Sequence, residues 1–180
     1  MALAVRGLIR LARGENEGVE SDAERAIEHS RPIGDVQAVN PRLSLAALIF
    51  MSVGNRERAD ETVTEALENI RNVKHLGLGI IGMPFLSWVA QALGRQLEVV
   101  EMLERQSFKS IWQRAGLAVA ARDFCSAASL MAAGGFKTDA AFFGLQSGTE
   151  EDVRKALEFY RAVGATRYIA EAEAALAVKA

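Results

Sequence analysis

The sequence predicts an all-α protein built from repeated helical hairpins, and three observations support this prediction. Glycines followed by apolar residues five and nine places later recur along the chain, and Gly14, Gly54 and Gly94 stand 40 residues apart. Apolar residues recur at helical spacing after these glycines. Sustained period-two alternation and Asn-Gly or Asp-Gly hairpin signals are missing from the sequence. A repeat of this length is typical of stacked helical hairpins.

The repeat positions define the register of the predicted hairpins. A further copy begins at Gly148, and a degenerate copy fits if Arg122 takes the place of the glycine. Each glycine is expected to end one helix, because it tolerates the left-handed conformation common just past a helix C-terminus. The apolar positions that follow should lie in the core of the next helix. The repeat-defining apolar residues are Ala59, Val63, Leu67, Leu103 and Leu157.

The first helix of each hairpin ends just before a repeat position. These helices are predicted over residues 3–13, 41–53, 84–93, 108–121 and 138–146. Two of them begin at proline, which is favoured in the first helical turn. The second helices should begin at the capping residues Ser21, Asn55 and Thr149.

The hairpins together account for the whole chain as one domain. They are predicted over residues 3–30, 41–73, 84–106, 108–134 and 138–163, with a covering helix over 166–178, which gives about 10–11 helices. The main loops are predicted over residues 31–40, 73–83 and 134–137.

Composition disfavours several classes of partner. With 21 basic and 23 acidic residues the formal net charge is −2, so we expect no direct binding to nucleic acid. The single cysteine, Cys125, cannot form an internal disulfide and fits a reducing compartment. Arg6, Arg10 and Arg13 interrupt the apolar N-terminal stretch, which is unlike a secretory signal. We therefore expect a cytoplasmic protein.

One apolar stretch approaches the length of a membrane span. Residues 76–94 carry no formal charge. Four glycines, together with Pro84, Ser87 and Gln91, argue against a span and favour a central helix buried by its neighbours. We expect no membrane partner.

A glycine-rich motif lies within the same stretch. Gly77, Gly79 and Gly82 spell GxGxxG, which in a dinucleotide-binding fold lets the backbone approach a pyrophosphate. That motif requires a preceding strand, whereas a helical pattern ends here near Val73. A connection between hairpins is the favoured interpretation, and a nucleotide-binding enzyme is the lesser alternative.

Residues for metal binding or catalysis are sparse. His29, His75 and Cys125 are far apart in sequence, so neither a metal site nor a nucleophile with an adjacent base is predicted. Cys125 stands beside Ala127 and Ala128 and is predicted to be a buried thiol. No catalytic residue and no cofactor are expected.

Charged clusters have structural explanations. The acids over residues 15–24 fall in turns and first helical turns, where they favour the helix dipole. Arg6, Arg10 and Arg13 form a stripe that either grips an acidic partner or is a solvated face.

Two tryptophans are the candidate binding residues. Trp88 and Trp112 lie on the first helices of consecutive hairpins, which in hairpin arrays tend to line the concave side. There they would anchor a peptide or small ligand; packing in the core is the alternative. Gln91 and Arg114 accompany them in the candidate groove, although only Gln91 clearly shares a helix face with its tryptophan.

The chain also resembles known repeat proteins. The hairpins are similar to tetratricopeptide repeats, although the period is longer than the usual figure of about 34 residues. The segments SWVAQALGRQLEVVEMLER, AARDFCSAASLMAAGGFKTDAAFFGLQSG and VRKALEFYRAVGATRYIAEAEAAL resemble the final repeats of large bacterial signal-transduction ATPases with adenylate-cyclase or LuxR-type output domains. The resemblance implies a right-handed superhelix of antiparallel helical hairpins, a TPR-like α-solenoid.

The resemblance also implies a function. In that family the helical arm receives a signal, through a small molecule or a protein partner, and controls an upstream nucleotide-binding switch. Neither a phosphate-binding GxxxxGK[ST] motif nor a helix-turn-helix signature is found in these residues. We expect a non-catalytic helical-repeat module for interaction or ligand sensing. The alternative is a self-association module that forms a homodimer.

Overall fold

The computed structural model describes residues 1–71, 73, 75–107 and 109–178. Within these ranges the chain is helical and contains no strand, which confirms the all-α prediction. The α-helices are α1 Ala2–Ala12, α2 Val19–Ser30, α3 Val36–Ser52, α4 Arg56–Ile70, α5 Met83–Leu93, α6 Gln96–Glu104, α7 Ile111–Ala120, α8 Phe124–Ala133, α9 Lys137–Ser147, α10 Glu150–Val163 and α11 Thr166–Ala177.

The helices pack mainly on their neighbours along the chain. Each α-helix contacts the next, and α1, α3, α5 and α7 also contact one another in that order. One hydrophobic cluster runs from Leu11 to Phe143, and a second joins the end of α9 to α10 and α11. The first helices of successive hairpins therefore lie side by side through most of the array.

The turns between paired helices use left-handed backbone. Gly14, Gly54, Gly94 and Gly148 have φ of 74°, 87°, 80° and 65°. Arg122, which takes the glycine's place in the degenerate copy, has φ 61° and is the one residue other than glycine with positive φ in the described ranges. All five positions thus make the same kind of turn.

The helix α3 begins earlier than the sequence predicted. Residues 36–40 were expected in a loop, with the helix starting at Pro41, but they are helical. The Asp35 side chain caps the helix by accepting a hydrogen bond of 2.9 Å from the backbone N–H of Gln37. Pro41 lies inside α3, where its ring removes one intrahelical hydrogen bond without ending the helix.

Two of the three predicted caps are confirmed and one is wrong. Thr149 accepts a hydrogen bond of 3.3 Å from the backbone N–H of Asp152 and donates one of 2.9 Å to its carboxylate. Asn55 accepts one of 3.2 Å from the backbone N–H three residues on. Ser21 lies inside α2, because that helix begins at Val19, directly after the left-handed Gly18.

The fourth first helix begins at Ile111, after Ser110, whose hydroxyl accepts a hydrogen bond of 3.1 Å from the backbone N–H of Gln113. The predicted start of this helix, Phe108, lies outside the described residues.

The apolar stretch over residues 76–94 forms a short 3₁₀ helix, Gly77–Ile80, followed by α5. Met83, Leu86 and Val89 are fully buried against the neighbouring helices. Over the described part of the chain, no helix combines the length and the apolar character that crossing a bilayer would require.

The last helix meets the first. The sequence assigned α11 to cover the last hairpin, and it packs on α10, but it also contacts α1. Thr166 Oγ1 donates a hydrogen bond of 2.7 Å to the backbone carbonyl of Arg13. Arg167 donates one of 2.9 Å to the carbonyl of Ser52 at the end of α3. The two ends of the helix array are therefore joined.

Candidate ligand-binding cleft

The first helices of all five hairpins, together with α10 and α11, surround a cleft of about 600 Å³, here called the central cleft. Small-molecule sites in proteins are typically mostly apolar clefts of about 300–1,000 Å³. The principal lining side chains are Val5, Leu8 and Ile9 from α1, Pro41, Leu45 and Leu48 from α3, Phe85 from α5, Trp112 from α7, Asp139 and Phe142 from α9, Phe159 and Tyr160 from α10, and Tyr168 from α11.

One side of the central cleft is an aromatic wall formed by Phe85, Phe142, Tyr160 and Tyr168. The Phe85 and Phe142 rings meet edge to face with centroids 5.4 Å apart. Phe142 meets Tyr168 in the same way at 6.4 Å, and Tyr168 stacks on Tyr160 at 4.9 Å. Such ring pairs stabilise one another beyond simple burial, so the wall is a well-packed surface.

The carboxyl group of Asp139 is the acidic group of the central cleft. Asp139 lies in the first turn of α9 and is half-buried. Burial alone raises the pKa of Asp139 from 3.8 to about 6, with no contribution from a hydrogen bond or a charged neighbour. This carboxyl group has thus lost hydration without gaining a partner from the described residues.

Tyr160 lines the central cleft, but its hydroxyl oxygen is buried inside the protein. The residue is only 3% exposed, and its hydroxyl has no hydrogen-bond partner in the described ranges. Burial raises the pKa of Tyr160 far above its ordinary range, and raises that of Tyr168 to about 12. Both phenols are therefore neutral hydrogen-bonding groups at physiological pH.

The mouth of the central cleft is apolar and exposed to solvent. Val5 and Ile9 lie four residues apart on α1, Met1 is the residue just before that helix, and Val163 lies at the end of α10. Their exposed fractions lie between 41% and 55%. A contiguous exposed apolar patch at the opening of a cleft is typical of a binding site.

The two predicted tryptophans have different positions. Trp112 lines the central cleft and packs on Phe136 at a centroid distance of 4.3 Å. Trp88 is half-buried behind the lining, where its ring meets the edge of Phe142 at 5.4 Å. One tryptophan thus faces the cleft, and the other supports its aromatic wall.

The two polar residues predicted beside the tryptophans lie outside the lining of the central cleft. In the amide orientation that satisfies both groups, Gln91 accepts hydrogen bonds of 2.6 and 2.7 Å from the Arg122 guanidinium. Arg114 is exposed. Gln91 therefore supports the turn at Arg122, and the structure brings neither residue together with Trp112.

Sequence reasoning did not find Asp139 or the tyrosines at positions 160 and 168. Their one available signal was the concentration of aromatic residues over residues 136–168. That signal does not show which rings face one another, because this depends on how α5, α9, α10 and α11 pack together.

The glycine-rich segment packs against α3. A Cβ at Gly77 would lie 2.6 Å from Gln37 Oε1, and one at Gly79 would lie 3.1 Å from the carbonyl oxygen of Val36. Gln37 also accepts a hydrogen bond of 3.1 Å from the backbone N–H of Leu78. No strand precedes these glycines in the described ranges, so their absent side chains are explained by close packing.

The arginine stripe of α1 has its acidic partner within the same chain. Asp22 on α2 is 2% exposed and accepts hydrogen bonds of 2.9 Å from Arg6 Nε and 3.1 Å from Arg10 Nη1. Hydrogen bonding to the Arg6 guanidinium lowers the pKa of Asp22 below its ordinary value. Arg6 and Arg10 therefore join α1 to α2.

The prediction of a buried thiol is wrong, since Cys125 is exposed. Cys125 lies in the first turn of α8, and the buried face of that helix begins at Ala127 and Ala128. Among the described residues, no group of three histidine, cysteine or acidic side chains is placed to hold a metal ion.

Comparisons of the chain with protein-family models, with curated proteins and with solved structures found no match. The relation to the helical arms of signal-transduction ATPases accordingly stays a prediction that rests on the three segments quoted above.

Proposed function

We propose that this chain is a non-catalytic helical-repeat module that binds a small apolar ligand in the central cleft. One observation carries the proposal: five hairpins contribute their first helices to a single apolar cleft of about 600 Å³. This volume suits a small molecule, and the lining combines many apolar groups with few polar ones, as ligand sites do.

The architecture that we propose is a short TPR-like α-solenoid, a right-handed superhelix of antiparallel hairpins. The side-by-side packing of α1, α3, α5 and α7 supports it, because such an array places the first helices on one face. The contact between α11 and α1 favours a small ligand over an extended peptide, since it joins the ends of the array around the cleft.

In the cell, such a module would act as the sensing arm of a bacterial cytoplasmic regulator. The sequence resemblance to the repeat arms of signal-transduction ATPases supports this role. Ligand binding would then stabilise the folded arm by mass action and change the surface it presents to a switch domain.

The test is a fluorescence titration with phenylnaphthylamine, an uncharged apolar probe that brightens when it leaves water. Ile9→Glu places a charge at the mouth of the cleft, whereas Leu97→Glu places one on an exposed apolar residue outside the lining. We expect Ile9→Glu to weaken probe binding at least about tenfold, because an apolar probe bound over this position would remove water from the carboxylate, and Leu97→Glu to leave it unchanged. Equal effects of the two variants would contradict a site in the central cleft.

A second candidate function is self-association through the mouth of the cleft, which the exposed Met1, Val5, Ile9 and Val163 favour. Light scattering over a range of protein concentrations tests it. A mass that doubles with concentration, and that Ile9→Glu returns to the monomer value, would support a homodimer.

A further inference from the structure

We propose that the ligand of the central cleft is an apolar molecule with an ammonium group, which pairs with Asp139 while the apolar part packs on the aromatic wall. This inference rests on the proposed function and specifies the chemical class of the ligand. Two features of the lining carry it.

The first feature is an acid without a partner. Asp139 is half-buried in an apolar cleft, and the described residues provide it with neither a hydrogen bond nor an ion pair. Arg13, at the end of α1, lines the same cleft but forms no ion pair with Asp139. A ligand cation would compensate the hydration that this carboxylate has lost.

Asp22, the acid that is fully buried in the described ranges, is satisfied in a different way. Asp22 is 2% exposed and is held by Arg6 and Arg10. A carboxylate placed only for stability would be expected to have such a partner, because an unpaired buried charge is costly. Asp139 instead faces an open cleft large enough to admit the missing cation.

The second feature is the aromatic wall. Rings of Phe142 and Tyr168, with Trp112 on α7, line the same cleft as the carboxyl group. The faces of aromatic rings carry partial negative charge and attract cations, which adds to the attraction of Asp139. An anionic ligand placed against this wall would also meet the carboxylate of Asp139, so this part of the lining favours a cation.

The test compares three naphthalene probes that differ only in the head group: naphthylmethylammonium, naphthylmethanol and naphthylacetate. Calorimetric titration at about pH 7.5 measures each against the full chain. We expect the ammonium probe to bind at least about tenfold more tightly than the alcohol, and the carboxylate probe to bind least, because charge pairing in a desolvated site favours only the cation.

The decisive variant is Asp139→Asn, which removes the charge with little change in shape. It should remove the advantage of the ammonium probe and leave the binding of the alcohol unchanged. Glu57→Gln removes the charge of an exposed acid outside the cleft and should change nothing. Asp139→Ala repeats the comparison, and circular dichroism checks that each variant is folded.

Two results would overturn the proposal in distinguishable ways. If the ammonium and alcohol probes bind equally to the wild type, or if Asp139→Asn leaves their ratio unchanged, the ligand class is wrong and the cleft remains a ligand site. If none of the three probes binds, both the ligand class and the proposed function fail.

Discussion

Replacing Asp139 by asparagine should make the protein more stable at neutral pH. The folded chain holds this acid with a pKa of about 6, against an ordinary value of 3.8. A shift of about 2 pKa units corresponds to about 3 kcal/mol. The side chain keeps some contact with water, so we reduce this to about 1–2 kcal/mol of destabilisation by the ionised group.

The sign of the pH dependence follows from proton linkage. An acid whose pKa is raised by folding binds more protons in the folded state, so its ionisation destabilises that state. The penalty is absent below pH 3.8, grows as the pH rises to about 6, and is constant above. Asparagine carries no charge at any pH, so the gain from Asp139→Asn should follow the same profile.

The assay is urea unfolding of the wild type and Asp139→Asn, followed by far-ultraviolet circular dichroism at several pH values. We expect equal stability at about pH 3.5 and an advantage of about 1–2 kcal/mol for the variant at about pH 8. A difference that is the same at both pH values would refute the assignment of an uncompensated charge. A variant that is less stable at pH 8 would show that Asp139 has a partner.

Three further predictions concern the scaffold. Asp22→Asn should show the opposite pH dependence in urea unfolding. Folding lowers the pKa of Asp22, so its carboxylate stabilises the folded state above the pKa of the unfolded chain, and this stabilisation is lost as the pH falls through the pKa of the folded chain. Leu157→Ala, at a buried site, should lower the free energy of unfolding by about 2–5 kcal/mol, and Leu67→Ala, at a half-buried site, should lower it by roughly half as much; thermal unfolding measures both. Arg122→Gly should be more stable than Arg122→Ala by about 1 kcal/mol in denaturant unfolding, because only glycine relieves the left-handed backbone at φ 61°.

Features that depend on a few neighbouring residues could be predicted from the sequence. A left-handed turn is a local conformation, so the spacing of the glycines located the turns and indicated that Arg122 adopts the same one. The predicted start of α3 at Pro41 is wrong because the Asp35 cap, six residues earlier, begins the helix. The hydrogen bond from the Gln37 backbone N–H to the Asp35 side chain stabilises a helix start before the proline.

The central cleft could not be predicted in the same way. Its lining comes from seven helices, and it depends on the contact between Thr166 and Arg13, which are 153 residues apart. The exposure of Cys125 could not be predicted from its neighbours either. Ala127 and Ala128 lie on the buried face of α8, whereas Cys125 lies on an exposed face of the same helix. Which residues face a cavity is set by tertiary packing, and neither periodicity nor composition reports it.

The two acids near the ends of the helix array show why the cleft is better explained by function than by stability. Asp22 is neutralised by two arginines of α1, and this ion pair holds the first hairpin together. Burial raises the pKa of Asp139, so we expect its ionised form to destabilise the folded chain at neutral pH, where asparagine at the same position would not. Residues that reduce stability without a local compensation are characteristic of binding sites, where the ligand supplies the missing interaction. The same carboxyl group should therefore lower the stability of the free protein and raise its affinity for a cation, and Asp139→Asn should reverse both effects together.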